Sequence, residues 1–192
     1  MGFAGKAGLV AAILMVGAPL RLAAEASEKL APCLACHGAE GQSETANVPS
    51  LGAQRENYTI IQLFLFREAM RVAEPMNDLA KELSDDDLRA MAAAFAALPA
   101  SKPAGEPGDP ARLERAAQLA AQNHCNICHR PDFSGQENVP RIADQREDYL
   151  LKTLRDYKSG ARHGYEPTMA EALQPVGDAE LIELAYYLAH FR

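Results

Sequence analysis

Four cysteines fall in two pairs, and each pair is followed at once by a histidine: Cys33-Leu34-Ala35-Cys36-His37 and Cys125-Asn126-Ile127-Cys128-His129. Two thiols three residues apart on one helical turn reach neighbouring points along one edge of a flat ring, such as the vinyl groups of a porphyrin. The next residue then turns an imidazole toward the metal at the ring's centre. Such spacing holds haem by two thioethers and one axial nitrogen. A redox dithiol, half a zinc site or a disulfide is the rival reading of a single copy. Two copies in equivalent places, with no cysteine left over, weaken that rival. A thioredoxin-like site would also need a strand pattern, and none is seen.

The iron needs a sixth ligand, and a Met on a loop well after the Cys-His motif is the usual partner in single-haem domains. Met70, Met76 and Met91 are the candidates in the first half. Met91 sits on the apolar stripe of a helix and reads as core. Only Met76 has an equivalent, Met169, and both follow a Glu-Pro pair. Met76 and Met169 are therefore favoured over ordinary packing methionines. His163 is the rival in the second half, although its neighbours Arg162, Gly164 and Tyr165 place it on an exposed loop. His124 and His190 have no repeat partner. Met ligation at both irons would leave no open position, which argues for electron transfer over substrate or oxygen chemistry. Each ligating imidazole needs an acceptor for its other nitrogen, and the carbonyls of Pro49 and Pro140 stand at matched positions. Arg55, Arg146, Tyr58 and Tyr149 could hold haem propionates, or simply open helices.

These residues must be positioned by a repeated unit. Sliding the chain on itself by about 92 residues sets Asn47-Val48-Pro49 on Asn138-Val139-Pro140 and Gln54-Arg55-Glu56-Asn57-Tyr58 on Gln145-Arg146-Glu147-Asp148-Tyr149. Pro99 to Pro110 holds four prolines and two glycines in twelve residues, a semi-rigid spacer. The expected units are residues 26–98 and 111–192, joined by the linker 99–110. Each reads as three helices around its haem. The first are Glu25 to Leu34 and Ala111 to Cys125. The second start near Tyr58 and Tyr149. The third start at Ser84, with the capping-box spacing Ser84-Asp85-Asp86-Asp87, and at Asp178. Leu88, Met91, Ala92 and Phe95 form one buried stripe, and Leu181, Leu184, Ala185 and Leu188 form its counterpart. The fold class is all-α.

Alanine outnumbers Val and Ile, and there is no Trp among 192 residues. So few aromatics call for a large flat cofactor in each core. Residues 1–24 read as a secretory signal, with Lys6 before the apolar run Ala7 to Leu20 and small residues at Ala24-Glu25-Ala26 or Leu22-Ala23-Ala24 for cleavage. An uncleaved membrane anchor is the alternative. Cleavage after Ala24 would remove Lys6 and Arg21 and no acid, taking the net charge from −7 to −9. That charge repels nucleic acid and anionic lipid.

At these motifs the chain resembles the class I cytochromes c, and closely the diheme cytochrome c4 family. The likeness is sharpest in Asn138-Val139-Pro140-Arg141-Ile142, in Tyr149 to Gly160, and in Pro167-Thr168-Met169. It implies two tandem class I cytochrome c domains and two haem c. It also implies His37 with Met76 and His129 with Met169 as axial pairs, and a periplasmic role carrying electrons between redox protein partners. It implies no small-molecule substrate. The first unit departs from the pattern: Ile61, Phe64 and Leu65 replace Lys152, Arg155 and Asp156, so that its second helix is apolar around most of its girth. Either the second unit or the linker covers this face, or it is a docking patch for another protein. The leading expectation is a c4-like carrier. The alternative is the electron-accepting subunit of a periplasmic flavin, molybdenum or quinone-cofactor dehydrogenase. A diheme peroxidase would need one iron that opens its sixth position.

Overall fold

The computed structural model describes residues 1–2, 29–103, 105–162 and 167–192. All but the first two residues of the signal segment at 1–24, the start of the first helix at Glu25 and the rival ligand His163 lie outside the described residues. Those described form helices and no strand; the only ladder pairing among them is the isolated bridge between Gln136 and Val139. The helices are α1 (29–37), α2 (Glu56–Arg67), α3 (Met76–Ala80), α4 (Asp85–Ala97), α5 (Pro110–Gln122), α6 (Cys125–His129), α7 (Glu147–Ser159), α8 (Pro167–Leu173) and α9 (Asp178–Ala189).

They pack about two separate apolar cores. In the first, Leu30 of α1, Leu63 of α2 and Leu88, Met91 and Phe95 of α4 come together. In the second, Ala120 of α5, Leu150 and Leu154 of α7, Leu173 of α8 and the Leu181–Leu184–Leu188 stripe of α9 do the same. Both stripes anticipated at helical spacing are buried. Phe95 and Leu181 are almost wholly so. The cap of α4 is as its spacing suggests: the Ser84 hydroxyl accepts from Asp87 N–H at 3.2 Å, and the Asp87 carboxylate accepts from Ser84 N–H at 3.0 Å. Lys29 of α1 pairs with the same carboxylate and ties the two helices together.

Two features depart from the sequence reading. The helix entering the second Cys motif is not continuous, because Asn123 ends α5 and His124 takes a left-handed conformation, φ 58°. Asn123 stabilises that stop by donating its side-chain amide to Leu119 O at 2.9 Å. The equivalent stretch of the first unit, 29–37, runs unbroken. The loops bearing the two repeat-matched methionines are also partly helical, as α3 and α8. Both helices have fewer than two turns or close to it, too short for a period to show.

The linker clings to both halves. Its Pro99 carbonyl lies where a side chain on Gly52 would stand, 2.0 Å from an added Cβ. At its far end Asp109 caps α5 by accepting from Arg112 N–H at 2.7 Å, Pro110 takes the first helical position, and Asp109 N–H donates to the Tyr186 hydroxyl at 2.7 Å. Arg112 then clamps α5 to α9 through a bidentate pair with Glu183 at 2.9 and 3.0 Å, with its guanidinium 3.6 Å from the Tyr186 ring centre.

Candidate functional site

In each unit the histidine of the Cys motif ends its helix with the ring turned inward. His37 is 5% exposed and His129 6%. His37 Nδ1 donates to Pro49 O at 2.7 Å and His129 Nδ1 to Pro140 O at 2.9 Å, the acceptors expected from the repeat. Burial lowers the pKa of both rings, and the proline carbonyls pull the other way. The neutral ring that results leaves Nε2 as the nitrogen free to bind a metal. Gly135, with φ +71°, packs on the second acceptor: a Cβ there would stand 2.4 Å from Pro140 C and 2.6 Å from Arg141 N. Only a residue without a side chain lets that peptide sit beneath His129.

No disulfide joins any of the four cysteines. Cys33 and Cys125 are half-buried against their unit's core, and burial raises both thiol pKa values. Cys36 and Cys128 are exposed. Met76 and Met169 are also partly buried against the first and second cores. Each unit therefore borders one apolar core with a neutral imidazole, a thioether and a half-buried thiol. Met91, read as core, is 5% exposed, whereas Met70 lies beyond the end of α2 and is 58% exposed. No cluster of three or more His, Cys, Asp or Glu able to hold an ion occurs among the described residues.

The four residues offered as propionate holders meet at the contact between units. Arg55 Nε donates to Ser134 O at 2.9 Å, and Arg146 donates to Ser43 O at 3.2 Å. Ser43 and Ser134 are repeat equivalents, so each arginine grips the other unit's loop in the same way. Tyr58 accepts from Arg162 at 2.9 Å, and the phenol of Tyr149 is enclosed by Arg71, Arg162 and Thr153. Burial raises the Tyr149 pKa, but the two guanidiniums outweigh it and bring it down to about 7.

Arg162 is buried, whereas its neighbour His163, read as an exposed loop residue, lies outside the described residues. Arg162 is 6% exposed, its guanidinium lies 4.7 Å from the Tyr157 ring centre, and it donates to Gln62 of the other unit at 3.0 Å. Arg71, its repeat equivalent, donates to the same Gln62 oxygen. No carboxylate among the described residues pairs with Arg162. Arg71 and Arg162 thus bring two guanidiniums to the contact between units, a charge that would suit the carboxylates of bound haem. Sequence reading missed both; the matched spacing of Arg71 and Arg162 was the available signal.

The face of α2 offered for docking is divided. Leu65 is 5% exposed because it shares a stripe with Tyr58 and Gln62, which face the second unit; Ile61 is half-buried. Leu65 is therefore no part of a docking surface. Phe64 is 40% exposed, with the Arg67 guanidinium 5.4 Å from its ring centre.

Comparison with known proteins gives a consistent result. The model of the family described as cytochrome c matches residues 113–191. Cytochrome c4 of Pseudomonas aeruginosa is 34% identical over 146 residues, 73% of each chain. The thiosulfate dehydrogenase electron acceptor of Thiomonas intermedia is 34% identical over 151 residues, 73% of this chain and 69% of that one. The crystal structure of reduced cytochrome c4 from Pseudomonas stutzeri superposes with a TM-score of 0.78 at 26% identity, covering 88% of this chain and 98% of that one.

Proposed function

The chain belongs to the diheme cytochrome c4 family and carries two haem c, and from that premise we propose that it is a periplasmic carrier passing single electrons between redox proteins. Bound haem c supplies one-electron exchange between ferrous and ferric iron. The protein's own residues do the rest. Cys33 and Cys36, and Cys125 and Cys128, would hold the two porphyrins covalently. His37 with Met76, and His129 with Met169, would be the axial ligands of the two irons. Pro49 and Pro140 fix the imidazoles. Arg71, Arg162, Tyr58 and Tyr149, gathered at the contact between units, would offer the haem propionates their donors.

The observation that carries this reading is the duplication of one complete donor set around two cores, with imidazole and thioether in each. Iron held by both has no vacant position for a substrate, so transfer without bond chemistry is the function it suits. The test is reductive titration of the purified protein. One electron should be taken up per haem, two per chain, with both haems low-spin in either state and no binding of cyanide or carbon monoxide at low concentration. Ready binding of either ligand would overturn the carrier reading in favour of a catalytic haem.

A second reading is supported by the likeness to the Thiomonas electron acceptor: service as the acceptor of one dehydrogenase. Of the exposed large apolar residues, Phe64, Met70, Val72 and Leu79 belong to the stretch from α2 to α3, beside Met76, while Ile127 stands apart in the second Cys motif. We assign docking of the redox partner to this stretch. Size-exclusion chromatography of a gentle periplasmic extract separates the readings. Elution at the mass of the chain supports a free carrier, and fixed-ratio co-elution with a larger enzyme supports a dedicated acceptor.

A further inference from the structure

The peptides that receive the axial histidines are gripped from the opposite unit. The Pro49–Ser50 peptide turns its carbonyl to His37 and its N–H to Oε1 of Gln145, at 2.8 Å. Gln145 Nε2 closes the grip on Ser50 O, also at 2.8 Å. The Pro140–Arg141 peptide repeats the pattern: its carbonyl faces His129, its N–H donates to Gln54 Oε1 at 2.8 Å, and Gln54 Nε2 donates to Arg141 O at 3.0 Å. Both glutamines are buried. Each Oε1 also accepts the next backbone N–H of its own chain, Arg55 at 2.9 Å or Arg146 at 3.0 Å, which holds the amide in one orientation.

We propose that Gln54 and Gln145 are positioning residues that act across the molecule, each tuning the iron of the opposite unit through the peptide that receives its axial histidine. The inference rests on the haem reading above. A peptide that donates its N–H to a good acceptor carries more negative charge on its oxygen, because the C–N bond is conjugated. A more negative oxygen strengthens the bond from histidine Nδ1–H. That makes the ring a better electron donor at Nε2 and favours ferric iron. A glutamine in the second unit thus lowers the potential in the first, and the reverse. A mere fastener would not need to end on these two peptides: Asp148 fastens the units by accepting from Asn47 N–H at 3.0 Å and touches neither.

The test uses the holoprotein, with both haems confirmed by mass. The potentials are titrated by NMR with ¹⁵N-labelled histidine, so that His37 and His129 are followed separately. Gln145→Leu should shift the first-unit haem toward its reduced form, by up to about fivefold in the oxidised-to-reduced ratio at fixed poise. It should weaken the His37 Nδ1–H bond and leave His129 unchanged. Gln54→Leu should do the mirror image, and Asp148→Ala neither. Gln145→Glu keeps an acceptor for Ser50 N–H and makes it anionic. It should shift the first-unit haem the other way, and by more than the second. It carries the test if the leucine variants do not fold. Shifts confined to the variant's own unit, equal in both units, or absent would overturn the proposal. A wild-type chain with fewer than two haems would instead defeat the haem reading.

Discussion

Asp144 sits in the turn before α7 with one carboxylate oxygen lacking a partner and the other 3.5 Å from Arg141. Burial pushes its pKa up to about 6, against the pull of Arg141, Arg192 and His190. The folded state thus holds this proton more tightly than the unfolded chain. Stability should fall as pH rises from 3.8 toward about 6 and then level off. Asp144→Asn should remove that fall and stabilise the protein above this range by about 1 kcal/mol, allowing for the water that reaches the group. Thermal melts of both proteins across this range check it. Gly135→Ala acts on the site itself. Its Cβ meets the Pro140–Arg141 peptide, so the second unit should lose the clean His129 bond while the first unit's spectrum stays intact. Met169→Ala should leave one haem of two with an open sixth position, seen as exogenous imidazole binding to half the haem. The matched contacts of His37 and His129 with the proline carbonyls, and the matched places of Met76 and Met169 against the two cores, follow positions that the repeat displays twice. The buried state of Arg162 was not legible, because its partners Tyr58 and Gln62 lie about a hundred residues away in sequence.

Among the helices, α4 was the most readable, since a capping box and a four-residue stripe mark both its start and its buried face. Ser84→Ala removes the acceptor of Asp87 N–H and should cost about 1 kcal/mol, measured by denaturant unfolding. The bonds from Lys29 and Ser84 hold the Asp87 pKa down to about 2. Its contribution is therefore present above the ordinary value of 3.8 and is lost as pH falls toward about 2, so the cost of Ser84→Ala should shrink in that window. The short α3 and α8 and the break between α5 and α6 escaped the periodicity. A helix of one turn shows no repeat, and the break at His124 is set by a single left-handed residue.

At the scale of the molecule the two cores share one arrangement but not one surface. Phe64 is exposed where the second unit carries Arg155, paired with Asp178 at 2.7 Å. Phe64→Glu should leave both haems and their potentials in place and reduce partner reduction rates at least several-fold, as loss of an apolar anchor does. Loss of haem would show instead that Phe64 supports the first core. That the second unit covers part of α2 was one of the two expectations for its apolar face, but which residues pair across the contact was not legible, because pairs such as Ser50 with Gln145 follow no local period. Their residues were nonetheless visible as matched positions in the repeat.

That matching has a consequence for how the halves of a duplicated gene can drift apart. Gln54 grips Arg141 as Gln145 grips Ser50, so the contact is a self-complementary handshake of the kind found in two-fold dimers, here closed within one chain. A change at any of these positions is felt in the other half. The grips tie the two copies to one another, while surfaces outside them, such as the outer faces of α2 and α7, carry no such reciprocal tie and differ in this chain, with Phe64 on one and Arg155 on the other.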